Sequence, residues 1–161
     1  MKLKTLVAAS AVALTALSSQ AASTSWGAHD ALELGSNTVT GAIFDTFSFS
    51  LGSSASVTSG VLSFGTVVGG AYSLYSTGGD GMIGGGDDVG VGAWTFGGTN
   101  TVALNAGSYY YSVLGGAVGS ASYVIASAAT TAPVPEPETY ALLGAGLGVI
   151  GFLASRRRRD S

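Results

Sequence analysis

Ile43-Phe44-Asp45-Thr46-Phe47-Ser48-Phe49-Ser50-Leu51 is the stretch on which the fold turns. Read as a strand, it puts Ile43, Asp45, Phe47, Phe49 and Leu51 on one face and Thr46, Ser48 and Ser50 on the other. One face is apolar apart from a single carboxylate, and the other is hydroxyl-rich. That is the pattern of a half-buried strand whose apolar side needs a covering layer.

Outward from this stretch, residues 22–131 repeat the same grammar. Period-2 runs at 61–68, 72–75, 89–96, 101–104, 109–114 and 121–127 read as further strands. Turn signals stand between them at Gly52-Ser53-Ser54, Gly69-Gly70, 78–88, Gly97-Gly98 and Gly115-Gly116. Six or seven short strands at this spacing predict a small all-β domain, an antiparallel β-sandwich or jelly roll. Tyr72, Trp94, Phe96, Tyr109, Tyr111 and Tyr123 supply core material that a disordered chain would lack.

Charge is segregated along the 161 residues. The six basic side chains are Lys2, Lys4 and Arg156 to Arg159, so nothing cationic but the single histidine stands between Thr5 and Ser155. The β region carries Asp30, Glu33, Asp45, Asp80, Asp87 and Asp88 and offers no Lys or Arg to a phosphate. Nucleic-acid binding is excluded on that ground. There is no cysteine, hence neither a disulfide nor a thiolate metal site.

Asp45 lies in line with an apolar face in a region without Lys or Arg. Four fates are open to it: bonding to backbone N–H or hydroxyl groups, coordinating a cation, sitting at an exposed strand end, or being protonated. The loop Gly78-Gly79-Asp80-Gly81-Met82-Ile83-Gly84-Gly85-Gly86-Asp87-Asp88 gathers three carboxylates on a Gly-rich turn. Hard oxygen ligands on such a loop suit calcium, with Asp80, Asp87 and Asp88 as the ligands. A plain solvated turn, where Asp and Gly are favoured anyway, accounts for the same residues. The spacing matches neither an EF-hand nor a Gly-rich nonapeptide repeat.

Catalysis finds little footing, and the chain is expected not to be an enzyme. His29 is the only histidine, and nothing around it predicts a Ser/His/Asp arrangement, although Asp30 and Glu33 are close in sequence.

Both ends read as targeting devices. Lys2 and Lys4, the apolar run 6–17 and the small-x-small site Ser19-Gln20-Ala21 make a secretory signal peptide over residues 1–21. Cleavage is expected after Ala21, with Ala22 as the alternative. At the other end, a linker over 132–139 holds Pro135-Glu136-Pro137, residues 140–155 form an apolar run, and 156–161 form a basic tail. The run 140–154 as a helix rises about 22 Å against a hydrocarbon core of about 30 Å, a short transmembrane helix. The positive-inside rule keeps Arg156, Arg157, Arg158 and Arg159 in the cytoplasm as a stop signal, which agrees with the topology the signal peptide demands.

Pro135-Glu136-Pro137, a short apolar helix and a terminal arginine cluster together resemble the PEP-CTERM sorting signal. The resemblance covers about the last 29 residues, counted from the linker to the end. It implies a chain exported by the Sec machinery, held for a time as a single-pass inner-membrane intermediate, and cut by an exosortase near the motif. It also implies release to the cell surface or extracellular matrix of a Gram-negative-type envelope, in association with exopolysaccharide and biofilm. The stretch 43–51 is in turn similar to the signature of the FxDxFTF subgroup. Asp45, Phe47 and Phe49 match, whereas Ile43 stands for the first Phe and Ser48 for Thr. Ala106-Gly107-Ser108-Tyr109-Tyr110 resembles the AGxYY segment found late in such domains. The leading expectation is a structural or adhesive surface protein, with a calcium-dependent or carbohydrate-binding secreted module as the alternative.

Overall fold

The computed structural model describes residues 21–131 and 137–157. The chain divides into two compact units, Met1–Thr131 and Ala132–Ser161. Most of the stretch expected to be a signal peptide, Pro135 and Glu136 of the motif, and Arg158 and Arg159 lie outside the described residues.

The first unit is built from six strands: β1 (Ser23–Ala28), β2 (Leu32–Leu51), β3 (Ala55–Ser76), β4 (Val89–Thr95), β5 (Thr99–Leu104) and β6 (Gly107–Thr131). They form one hydrogen-bonded sheet in the order β1-β2-β6-β3-β4, with β5 beside β4 on the outer edge of β3. The pairing is antiparallel except between β1 and β2, which run parallel.

The expected pair of sheets is therefore one sheet, and the expected short strands are joined into three long ones of 20, 22 and 25 residues. Glycines explain the difference. Gly69-Gly70 and Gly115-Gly116 do not end strands but sit within them, and register shifts between Phe64 and Thr66 and between Val68 and Ala71 bend β3. β2 shifts register between Thr40 and Gly41. Bulges of this kind let a strand turn a corner while its ladder continues on either side. Gly65 takes φ +89° at one such corner, a conformation that L side chains resist.

Past the corners the two halves of each long strand face one another across the core. The ring of Phe47 in the second half of β2 lies directly over Gly35 in its first half, so closely that a side chain there would collide with it. Ile43, Phe47, Phe49, Val57, Val61, Tyr72, Leu74, Tyr111, Val113, Tyr123 and Ile125 fill the space between. Phe49 stacks on Tyr109 and Tyr111 with ring centroids 5.7 and 5.4 Å apart, and Trp26 of β1 packs against Phe47 at 5.4 Å. Such aromatic contacts add about 0.5–1.5 kcal/mol each beyond the area they bury. The β4–β5 turn is pinned over the corner of β3 by Gly97 N–H to Val61 O at 2.8 Å and Phe96 N–H to Gly70 O at 3.2 Å.

The second unit contains α1 (Pro137–Arg157), a helix of 21 residues beginning at the last proline of the motif. Among the described residues no helix is long and apolar enough to cross a membrane. The helix expected over 140–155 is present, but its character as a transmembrane span is not shown.

Candidate functional site

Three groups of polar side chains stand out against the apolar interior. The first is Asp45, fully buried on the inward face of β2. Oδ1 accepts the Ala22 backbone N–H at 2.7 Å. Oδ2 accepts the Asn37 amide at 3.0 Å and the Tyr123 hydroxyl. These partners come from the residue just ahead of β1, the first half of β2 and the second half of β6. The carboxylate thus ties the facing halves of the sheet to each other and to the amino-terminal strand. Of the four fates open to it, bonding to N–H and hydroxyl groups is the one observed. Burial, and then the hydrogen bond and charge of Asp45, push the Tyr123 phenol far above its ordinary range, so it remains a donor. Phe47 and Phe49 flank Asp45 on the same buried face.

The second group is the aspartate loop between β3 and β4. Oxygen atoms of Asp80, Asp87 and Asp88 lie within 4.8 Å of one another. Backbone N–H groups hold them there. Asp87 Oδ2 accepts from Gly79 at 2.6 Å and Asp80 at 3.3 Å, Asp80 Oδ1 accepts from Met82 at 2.8 Å, and Asp88 Oδ2 accepts from Gly84 at 2.8 Å. The Gly79 N–H in particular draws the Asp87 carboxyl below its ordinary value. Tyr110 donates its hydroxyl to Asp88 Oδ2 at 2.7 Å; burial first and Asp88 second push that phenol up to about 12. The remaining oxygen, Asp88 Oδ1, is buried without a hydrogen-bond partner.

The third group centres on His29. Its Nε2 lies 2.8 Å from Ser127 Oγ, which is itself 3.0 Å from the Tyr111 hydroxyl. Nδ1 faces the carbonyl of Asp30 rather than a carboxylate. Ser127 is fully buried. The imidazole also packs edge-on against Phe49 at 4.9 Å and serves to close the core at that end.

On the outer surface, an apolar hollow of about 280 Å³ runs beside Leu32, Leu62, Val124, Ala126 and the Gly97-Gly98 turn. Sequence reasoning had no means of finding it. It depends on β2, β6 and β3 lying side by side, which brings together residues nearly a hundred positions apart.

Of the sequence-derived site residues, the structure brings together Asp80, Asp87 and Asp88, and it seats Asp45 between Asn37 and Tyr123, which the sequence did not single out. Ala21 is exposed and Ala22 half-buried just ahead of β1. Pro137 opens α1, and Arg156 and Arg157 end it.

Comparison with known proteins adds two findings. Residues 133–159 match the PEP-CTERM protein-sorting motif, a signal for export with exosortase processing. The match does not extend to the β strands. In fold, the chain resembles Aeromonas hydrophila PliG, a periplasmic lysozyme inhibitor of g-type lysozyme. The TM-score is 0.50 at 14% identity, over 68% of this chain and 99% of that one. The pre-peptidase C-terminal domain of a Bacillus anthracis collagenase aligns with a TM-score of 0.47 at 14% identity, over 65% and 93% of the respective chains. No curated protein matches the chain in sequence.

Proposed function

We propose that this chain is a surface or extracellular-matrix protein with a structural or adhesive role, exported by the Sec route and cut by an exosortase near Pro135-Glu136-Pro137. The observation that carries this reading is the sorting motif at 133–159, which follows immediately on a β unit ending at Thr131. The cut would free a unit whose strand pairing is already complete. The arginine-tipped helix is the transient anchor in the inner membrane, with snorkelling arginines making up its short reach. No catalytic role is assigned, because the one histidine contacts a sealed serine. An association with exopolysaccharide and biofilm, and membership of the FxDxFTF subgroup through Asp45, Phe47 and Phe49, belong to the same proposal and rest on resemblance.

The test is the intact mass of the protein from cells with and without the exosortase. A form starting near Ala22 and ending between Pro135 and Glu138, lost when the enzyme is deleted, is the expected result. A form retaining Arg156 to Arg159 in both strains would overturn it.

A second reading, a calcium-dependent or carbohydrate-binding module, is favoured by the sealed and unpartnered Asp88 Oδ1 beside two further carboxylates. Extracellular calcium modules bind at about 0.1–1 mM, so several millimolar calcium should stabilise the fold by about 1–2 kcal/mol. The Asp80→Asn, Asp87→Asn, Asp88→Asn triple variant should lose that gain. A melting temperature indifferent to calcium would return the loop to a plain turn.

A further inference from the structure

Asp45 is the only ionisable carboxyl in the described core, and its surroundings lack one thing that buried carboxylates ordinarily have. Taking a carboxylate out of water is costly unless a cation or several donors replace the solvent. No Lys or Arg lies between Thr5 and Ser155, and the imidazole of His29 is occupied with Asp30 O and Ser127. Asn37 and Tyr123 donate to Oδ2 as neutral groups. The remaining donor, on Oδ1, is the nitrogen of Ala22.

That nitrogen is also the atom that signal-peptide cleavage after Ala21 would change. Hydrolysis of the Ala21–Ala22 bond adds water across it. The Ala21 carbonyl leaves as a carboxylate on the signal peptide, and the Ala22 nitrogen becomes an α-ammonium. We propose that this new α-ammonium is the counter-ion of Asp45, so that removal of the signal peptide completes a buried ion pair and stabilises the domain only after export.

The geometry is already set for it. Ala22 O accepts the Thr46 N–H at 2.8 Å, and the parallel ladder continues from Ser23 opposite Thr46, which fixes the Ala22 nitrogen 2.7 Å from Oδ1. Ala21 is exposed, and the Ala22 nitrogen is held by contacts made from Ala22 onward, so its place does not depend on the residues ahead of the cut. Cleavage therefore changes charge and donor number, from one N–H to three, and not position. A precursor lacking the pair is easier to keep unfolded for Sec passage.

The proposal rests on the export reading at the amino terminus and is independent of the exosortase. Amino-terminal sequencing of the exported protein should give Ala22 first, whether or not the exosortase is present. A chain beginning at Ser23 overturns the proposal, because the ammonium would then lie one residue away from Asp45. The stability test uses residues 22–161 in one mild detergent, with a free α-amine, with Gln20-Ala21 retained ahead of it, or with the amine acetylated. The mature chain contains no lysine, so its α-amine is its sole primary amine and acetylation is unambiguous. The free-amine chain should melt roughly 5–10 °C above both blocked chains. In the Asp45→Asn background the three should melt together. Equal melting of free and blocked wild-type chains overturns the proposal. A readout without substitution covers the case in which Asp45→Asn does not fold. The α-amine of the native chain should acylate at least tenfold more slowly than in the urea-unfolded chain, and equal rates count against the pair.

Discussion

Tyr123 and Asp45 stand 78 positions apart in sequence yet are hydrogen-bonded inside the sheet, phenol to carboxylate, and a conservative change shows what that contact contributes. Tyr123→Phe keeps the ring and removes the donor, leaving Oδ2 with the Asn37 amide alone. Hydrogen bonds to charged groups are worth about 1.5–3 kcal/mol, so urea unfolding should show a loss of about 2 kcal/mol with an unchanged m-value. Tyr109→Phe, which deletes a half-buried hydroxyl bonded to Asn105 O at 3.0 Å, should cost about 1 kcal/mol or less. Alkaline pH tests the same chemistry from another side. Burial raises the phenols of Tyr110, Tyr111 and Tyr123 above the ordinary 10.0, with Asp88 and Asp45 adding to the first and last. A raised folded-state pKa means that the unfolded chain ionises first. The stability these groups contribute is complete below pH 10.0 and declines as pH rises toward about 12, the value for Tyr110. Melting temperature followed from pH 8 to 12 alongside phenolate absorbance should fall through that window. In Asp88→Asn, Tyr110 should ionise earlier than in the wild type. That Asp45 is special was legible from alternation and from the absence of Lys and Arg. Its partners were not, because nothing local in sequence marks Asn37 or Tyr123 as facing it.

Elements tell a different story about what the sequence discloses. The stretch 43–51 alternates strongly enough to fix its own buried face, and Ile43, Asp45, Phe47, Phe49 and Leu51 are all buried there. The first half of β2 escaped notice because its inward positions include Gly35 and Asn37, which carry no apolar signal. β1 escaped because a short, mostly polar edge strand pairing in parallel needs only Trp26 to reach the core. The glycine pairs misled for a physical reason: glycine serves a tight turn and a β-bulge equally well, and only the partner strand decides between them. Two substitutions separate these uses of glycine. Gly35→Ala pushes a methyl group into the Phe47 ring and against Ile125, both fixed by the packed core. Overpacking of this kind costs about 1–3 kcal/mol, readable as a lowered urea midpoint. Gly65→Ala meets the backbone of Ala121 at 3.2 Å in a left-handed conformation, so strain and crowding add, and its loss should be at least as large. Gly52→Ala, with open space around it and no positive φ, serves as the control and should change stability by less than about 0.5 kcal/mol.

At the scale of the whole molecule, the placement of charge divides the chain by destination. Every Lys and Arg lies within a few residues of one end of the sequence or the other, at Lys2, Lys4 and Arg156 to Arg159, and the charged side chains between them are carboxylates. The intact chain has a formal charge of −3 and an isoelectric point near 4.7. Residues 22–131 contain six Asp and Glu side chains and no Lys or Arg, a formal side-chain charge of −6. Removing both ends thus makes the product more acidic while removing most of the long apolar runs. A domain of one charge sign repels copies of itself at neutral pH and attracts divalent cations. The consequence is measurable on cell fractions. The released form should focus at a more acidic pH than the membrane-associated form and bind an anion exchanger more tightly. Replacing Arg156 to Arg159 by serine removes the charge that, in the proposed anchoring, holds the tail in the cytoplasm, where each arginine resists entry into the bilayer centre by about 2.5–3.5 kcal/mol. That variant should show less of the acidic processed form, with unprocessed chain accumulating instead. If it is processed as efficiently as the wild type, the arginines do not act as the stop signal, and recognition rests on the motif and helix alone.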